Sequence, residues 1–191
     1  GRTSIDSLRQ PLEDKRIQIA RLWGNVTYPA EFMLVGAINP CPCGYYPDSN
    51  KCRCSKTAIR RYLGRVSGPI LDRIDLCVEV RAVDLASLNK KKGRETNAMM
   101  REEILKAREI QNKRFSGSLC RFNSDMKASD MDVFCPLGME EKSYMEDIYE
   151  KLGLSVRTYH RILKVARTIA DLDGETQIGI RHLMEATVYR T

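Results

Sequence analysis

Apolar positions in the first third of the chain change period several times. Ile5, Leu8 and Leu12 recur at helical spacing and predict a helix over Arg2 to Leu12, ended by polar Glu13-Asp14-Lys15. From Arg16 to Leu22 the period drops to two, with Ile17 and Ile19 on one face and Gln18 on the other, which predicts a half-buried strand. Gly24-Asn25 is a turn signal, and Val26-Thr27-Tyr28 returns as the partner strand of a hairpin. Glu31 to Ile38 (EFMLVGAI) is almost continuously apolar, the pattern of a strand covered on both faces, and stops at Asn39-Pro40. Ser55 caps a predicted helix over Thr57 to Val66, and Gly68-Pro69 starts a short one through Leu71. Ile74 to Val80 (IDLCVEV) predicts a further strand.

The stretch from Asp84 to Thr96, with Ser87, Asn89, Lys90-Lys91-Lys92 and Gly93, has no sustained period and predicts a domain boundary. Helical spacing dominates beyond it. Helices are expected over Ala98–Phe115, Met139–Leu152 with Gly153 as its cap, Ser155–Leu172 closed by Asp173-Gly174, and about Ile178–Tyr189. Four helices of this length make a small bundle. The expected domains are residues 1–85, a linker at 86–96, and a helical domain at 97–191.

Composition narrows the class. The chain has 191 residues, 42% hydrophobic and 30% charged, which fits one ordinary globular domain or two small ones. No apolar run approaches the ~20 residues of a membrane helix, so no membrane span is expected. The chain opens on Gly1-Arg2 rather than Met and reads as part of a longer protein. A formal net charge of +7 favours a polyanionic partner, although the excess is spread along the chain and much of it fits a solvated surface.

Seven cysteines are present, four of them within Cys41–Cys54, which points to a reducing, intracellular setting and a metal site rather than a secreted disulfide scaffold. Cys41-Pro-Cys43 and Cys52-Arg-Cys54 are two short pairs joined by a turn-rich loop that can fold back into a tetrahedral site. Zinc is the leading occupant, and four closed ligands would make it structural. Free thiols or two disulfides are the alternatives, though a disulfide within a CxC pair is strained. Lys51, Arg53 and Lys56 would offset part of the thiolate charge. Cys77, Cys120 and Cys135 stand apart and read as core thiols.

The motifs FMLVGAINPCPCGYY, CRC, GPILDRIDLCVEV and SVRTYHRILKVARTIADLDG, in this order, resemble the magnesium-chelatase-like AAA+ ATPases of the ComM (YifB) family over essentially the whole chain. The resemblance implies an α/β fold class: the second half of an AAA+ core and its sheet, followed by an all-α four-helix lid domain. In that pattern the Walker A and Walker B elements lie upstream of Gly1. No G-x-x-x-x-G-K-[ST] occurs in the sequence, so the chain alone is not expected to hydrolyse ATP. Loss of the Walker strands would also leave Phe32–Ile38 without neighbours.

The resemblance further implies site residues. Asn39, at the end of the apolar run, falls on sensor 1, which orients the attacking water; its plain alternative is a turn residue. Arg73 falls on the arginine finger, which reaches the neighbouring subunit's γ-phosphate; the alternative is an ion pair with Asp72 or Asp75. Arg157 falls on sensor 2 and would bind nucleotide; its plain alternative is a tolerated surface arginine. A cation in a helix's first turn opposes the dipole, a conflict that a bound anion would relieve. The hairpin around Arg21 and Trp23 matches one that related helicases project towards DNA, where Trp23 would stack on a base; packing is the commoner role of a lone tryptophan. On the third helix of the lid, Arg157, Arg161, Lys164 and Arg167 are a second candidate for DNA contact, against the commoner reading of a solvated basic face. His160 and His182 read as structural. The implied cofactors are ATP and Mg2+ in the longer protein and a structural Zn2+. The implied setting is a bacterial cytoplasmic homo-hexamer, associated with competence and branch migration on DNA. Two other functions remain open: the ATPase subunit of a magnesium chelatase, and a non-catalytic zinc-bearing interaction module.

Overall fold

The computed structural model describes residues 2–80 and 96–190. They divide into two compact units, Gly1–Ile74 and Asp75–Thr191. Most of the expected linker, including Lys90-Lys91-Lys92, lies outside the described residues.

The first unit opens with α1 (Arg2–Asp6) and α2 (Arg9–Asp14) where one helix was expected. The break at Ser7-Leu8 has a cause in Pro11, whose ring would clash with the carbonyl of Ser7 in a continuous helix but is tolerated in the first turn of a new one. Lys15, at φ 54°, ends α2. Strands β1 (Arg16–Arg21) and β2 (Gly24–Pro29) pair antiparallel in register Arg16↔Pro29 to Arg21↔Gly24, which puts Leu22 and Trp23 at the tip. Gly24 turns the chain at φ 148°, a conformation that disfavours a side chain. Every residue of both strands is exposed, so the hairpin stands in water on both faces rather than half-buried.

This hairpin is the one sheet among the described residues. The strands expected over Glu31–Ile38 and Ile74–Val80 do not form: both segments lack a ladder, and their apolar side chains are largely in solvent, Met33 at 87%. A strand takes its hydrogen bonds from a neighbouring strand, and none of the described segments supplies a ladder, although the Cys77 N–H bonds the Tyr189 carbonyl at 2.8 Å. The described fold is thus helical with a small two-stranded sheet. Helix α3 (Lys56–Leu63) is capped by Ser55, whose Oγ accepts the Ala58 N–H at 3.2 Å, and is followed by α4 (Gly68–Leu71). Ser67 and Arg9 both donate to Asp6 Oδ1, at 2.6 and 2.9 Å, and fasten α4 to the N-terminal helices.

The second unit has α5 (Asn97–Arg114), a turn-rich segment with 3-10 turns at Asn123–Asp125 and Ala128–Asp130, α6 (Met131–Phe134), α7 (Met139–Leu152), α8 (Val156–Leu172) and α9 (Ile180–Val188). Thr96 Oγ1 accepts the Met99 N–H at 3.3 Å at the start of α5, and Ser155 Oγ accepts the Thr158 N–H at 3.2 Å at the start of α8. Gly153 closes α7 at φ 58°. Helix α8 is central, packed by α5 and α9, with α9 also against α7. Its residues Ile162, Leu163 and Ala166 share a core with Phe115, Met126, Met145 and Leu183.

A polar brace crosses this core. Buried Asp171 receives both terminal nitrogens of Arg114, Nε of Arg167 at 3.1 Å and Nδ2 of Asn123 at 2.9 Å. Arg167 also donates to the carbonyls of Thr176 and Glu175, at 2.9 and 2.6 Å, and is 1% exposed. The solvated basic face expected on α8 is therefore corrected: Arg167 is a core residue. Lys164 donates to the Ser124 carbonyl at 2.9 Å, and Arg161 pairs with Asp75 at 3.1 Å. No described helix is long and apolar enough to cross a membrane.

Candidate functional site

The cysteine loop is shaped by polar contacts. The Gly44 N–H bonds the Cys41 carbonyl at 3.1 Å, the Cys52 N–H bonds the Asp48 carbonyl at 2.8 Å, and the Tyr46 N–H reaches the Cys41 Sγ at 3.4 Å. Gly44 itself lies at φ 82°. The result brings Cys41, Cys43, Cys52 and Cys54 together with all four Sγ within 4.8 Å of one another. Sulfur separations are 3.3 Å for Cys41–Cys43, 3.8 Å for Cys41–Cys52 and 3.7 Å for Cys43–Cys52. A tetrahedron with ~2.3 Å metal–sulfur bonds has edges of about 3.8 Å, so this spacing fits a tetrathiolate ion. No disulfide joins any of the seven cysteines in this structure.

The electrostatics of the cluster also suit a cation. Burial pushes the Cys41 thiol up, but the Tyr46 N–H and the thiols of Cys43 and Cys52 outweigh it and bring it down to about 6. At Cys54 the Cys43 N–H favours the thiolate, yet the Cys43 side chain, burial and Cys41 together push it up to about 12. One thiolate forms readily and suppresses the next. A thiophilic divalent ion lifts that suppression, because each ligand must lose its proton to bind.

Asn39 opens the same loop. It is exposed, and its carboxamide carbon is 4.0 Å from the place a Cβ on Gly44 would take. Arg73 follows α4 and is engaged inside its own unit: Nη1 donates to the Pro69 carbonyl at 2.7 Å and Nη2 pairs with Glu13. The ion pair weighed for Arg73 with Asp72 or Asp75 is thereby corrected, since Asp75 belongs to Arg161. Glu13 was missed because it lies 60 residues from Arg73, and no local spacing reports such a pair. Arg157, in the second unit, is exposed in the first turn of α8, which holds no acidic residue. Arg21 is exposed, and Trp23 at the hairpin tip is 98% exposed, so Trp23 packs on nothing in its own unit.

The remaining candidates serve local structure. His182 is buried and its Nδ1 accepts the Gly179 N–H at 2.9 Å; His160 meets the Tyr159 ring edge-on at 5.8 Å. Of the isolated cysteines Cys135 is a core thiol and Cys120, half-buried, packs against the same core; Cys77 is half-buried outside it, a correction to the expectation for Cys77.

Residues 1–88 match the sequence family described as magnesium chelatase, subunit ChlI, and residues 94–190 match the family described as magnesium chelatase, subunit ChlI C-terminal. The chain is 46% identical over 190 residues to the competence protein ComM of Haemophilus influenzae, covering 99% of this chain and 36% of that protein. Against YifB of Escherichia coli it is 40% identical over 190 residues, covering 99% and 37%. Against YifB of Salmonella typhimurium it is 38% identical over 191 residues, with the same coverage. The chain thus spans little more than a third of the length of these relatives.

Proposed function

The chain belongs to the family of the magnesium chelatase subunit ChlI, and on that premise we propose that it is part of an ATP-driven ring motor acting on DNA. The observation that carries the DNA reading is the hairpin. An indole 98% exposed at the tip of a ribbon solvated on both faces, next to the cation of Arg21, offers a stacking platform and a phosphate contact. Identity to a competence protein over nearly the whole chain supports the same direction.

In this reading the phosphate-binding glycine loop belongs to the longer protein, as do ATP and Mg2+. Arg73 reaches the γ-phosphate held by a neighbouring subunit and stabilises the charge that develops during transfer. Asn39 orients the attacking water. Arg157, at a helix N-terminus that already favours anions, senses nucleotide in its own subunit. The subunits form a homo-hexamer. Cys41, Cys43, Cys52 and Cys54 hold a zinc ion, which supplies cross-linking to the loop and no chemistry to the reaction.

The test is hydrolysis by the longer protein. ATP turnover should rise on adding DNA, and Arg73→Ala should abolish turnover while nucleotide binding is spared. Normal turnover in that variant would falsify the finger assignment. The second reading, the motor subunit of a magnesium chelatase, is favoured by the family descriptions themselves. Turnover that answers to a porphyrin and ignores DNA would select it.

A further inference from the structure

Both terminal nitrogens of Arg73 are occupied within its own unit, Nη1 by the Pro69 carbonyl and Nη2 by Glu13, and the side chain is only 15% exposed. These are the nitrogens that would face a phosphate in a bidentate contact. The arrangement is also incomplete: the buried Nε of Arg73 has no hydrogen-bond partner among the described residues. Glu13, at the end of α2, is itself 39% exposed, so water screens its hold on the guanidinium. One acceptor is neutral and the other is a solvent-screened carboxylate bound through a single nitrogen. A polyphosphate, with more charge and several oxygens in reach, competes well against that pair.

We propose that Glu13 is a positioning residue for Arg73: it parks the guanidinium inside its own subunit until a nucleotide polyphosphate presented by a neighbouring subunit displaces it. The proposal rests on the reading of Arg73 as an arginine finger. Parking lowers the fraction of subunits competent to engage a neighbour, and an apparent affinity falls by that fraction. Glu13 then sets how much nucleotide the ring needs, while the rate once Arg73 is engaged belongs to Arg73.

The experiment uses the full-length protein with ATP. Glu13→Gln keeps the shape and removes the charge; it should lower the ATP concentration for half-maximal turnover by about five- to tenfold through the gain in competent fraction, with kcat unchanged. Glu13→Asp, which keeps the charge, should stay close to the parent. Arg73→Ala should be inactive with either residue at position 13. In the 191-residue chain, guanidinium resonances of Arg73 followed by NMR should show faster Nη rotation in Glu13→Gln than in the parent. A Glu13→Gln protein that needs the same or more ATP, or has a lower kcat, while Arg73→Ala is dead, overturns the parking role alone. Normal turnover in Arg73→Ala overturns the finger reading and the proposal with it.

Discussion

The second unit encloses Met145, Ile162, Ala166 and Leu183 completely, whereas in the first unit Met33, Val35 and Ile38 lie in water and the enclosed side chains are few, chiefly Cys41, Ile59 and Ile70. Both stretches of sequence are apolar enough to build a core, so hydrophobicity does not separate them. Hydrogen bonding does. A helix satisfies its own backbone and needs only a stripe of contact with another helix, and α8 finds that contact on α5 and α9. A strand must find both its hydrogen bonds and its apolar cover in other segments. The first unit compensates with polar fastenings, the Asp6–Ser67–Arg9 cluster and the sulfur cluster, and the second with packing braced by Asp171.

If this contrast is right, the two units should fail under different insults. The largest effect is expected from metal. Zinc bound by four thiolates contributes about 10–16 kcal/mol in small domains, and the loop has little else to order it. Elemental analysis should find one zinc per chain. Chelation should abolish amide protection across Cys41–Cys54 in hydrogen exchange, while protection in α8 persists. A loop equally protected after complete chelation would break the comparison at its first term.

Asp171→Ala should do the reverse. It takes the carboxylate from the buried guanidinium of Arg167 and the partly buried one of Arg114, and loss of one partner from a buried ionic cluster costs about 3–5 kcal/mol. Helical ellipticity should melt at markedly lower temperature with the metal content unchanged. An unshifted melt would mean that the brace is ornamental to the helical core.

The smallest effect is one of pH. Burial pushes the Cys135 thiol up from 9.0 to about 11. Between those values the unfolded chain releases this proton and the folded chain keeps it, so the thiol's contribution to stability is whole below pH 9 and is lost as pH rises towards 11. The loss is about 2–3 kcal/mol at most. Denaturant midpoints should fall more steeply across this window in the parent than in Cys135→Ala, whose difference from the parent isolates the thiol from other titrating groups. Parallel slopes would show that Cys135 is not sealed from water.

The features readable in the sequence are those whose parts lie close along the chain. Ser155, Gly153 and the apolar spacing of Ile162, Ala166 and Ile169 define α8 and its entry within a few residues. The four clustered thiols fall inside one loop, and their convergence could be argued from spacing alone. What was not readable depends on distant partners. Asp171 gathers Arg114 and Asn123 from positions 57 and 48 residues away, and the burial of Arg167 follows from that gathering. The segments Glu31–Ile38 and Ile74–Val80 carry strand patterns, but a pattern names only a face for burial; pairing is decided elsewhere in the chain. Residues 116–138 show neither period clearly and proved to be a run of short turns around Phe115, Met126 and Met131.

Trp23 is the chain's one tryptophan, and it stands at the tip of the exposed hairpin. With excitation to the red of tyrosine absorption, the emission of this molecule therefore comes from a single indole bathed in solvent. It should be red-shifted and readily quenched by iodide in the native state, and nearly blind to melting of the helical core. Any blue shift or loss of quenching on adding a ligand reports directly on what has docked at the hairpin, with no label and no background from elsewhere in the fold.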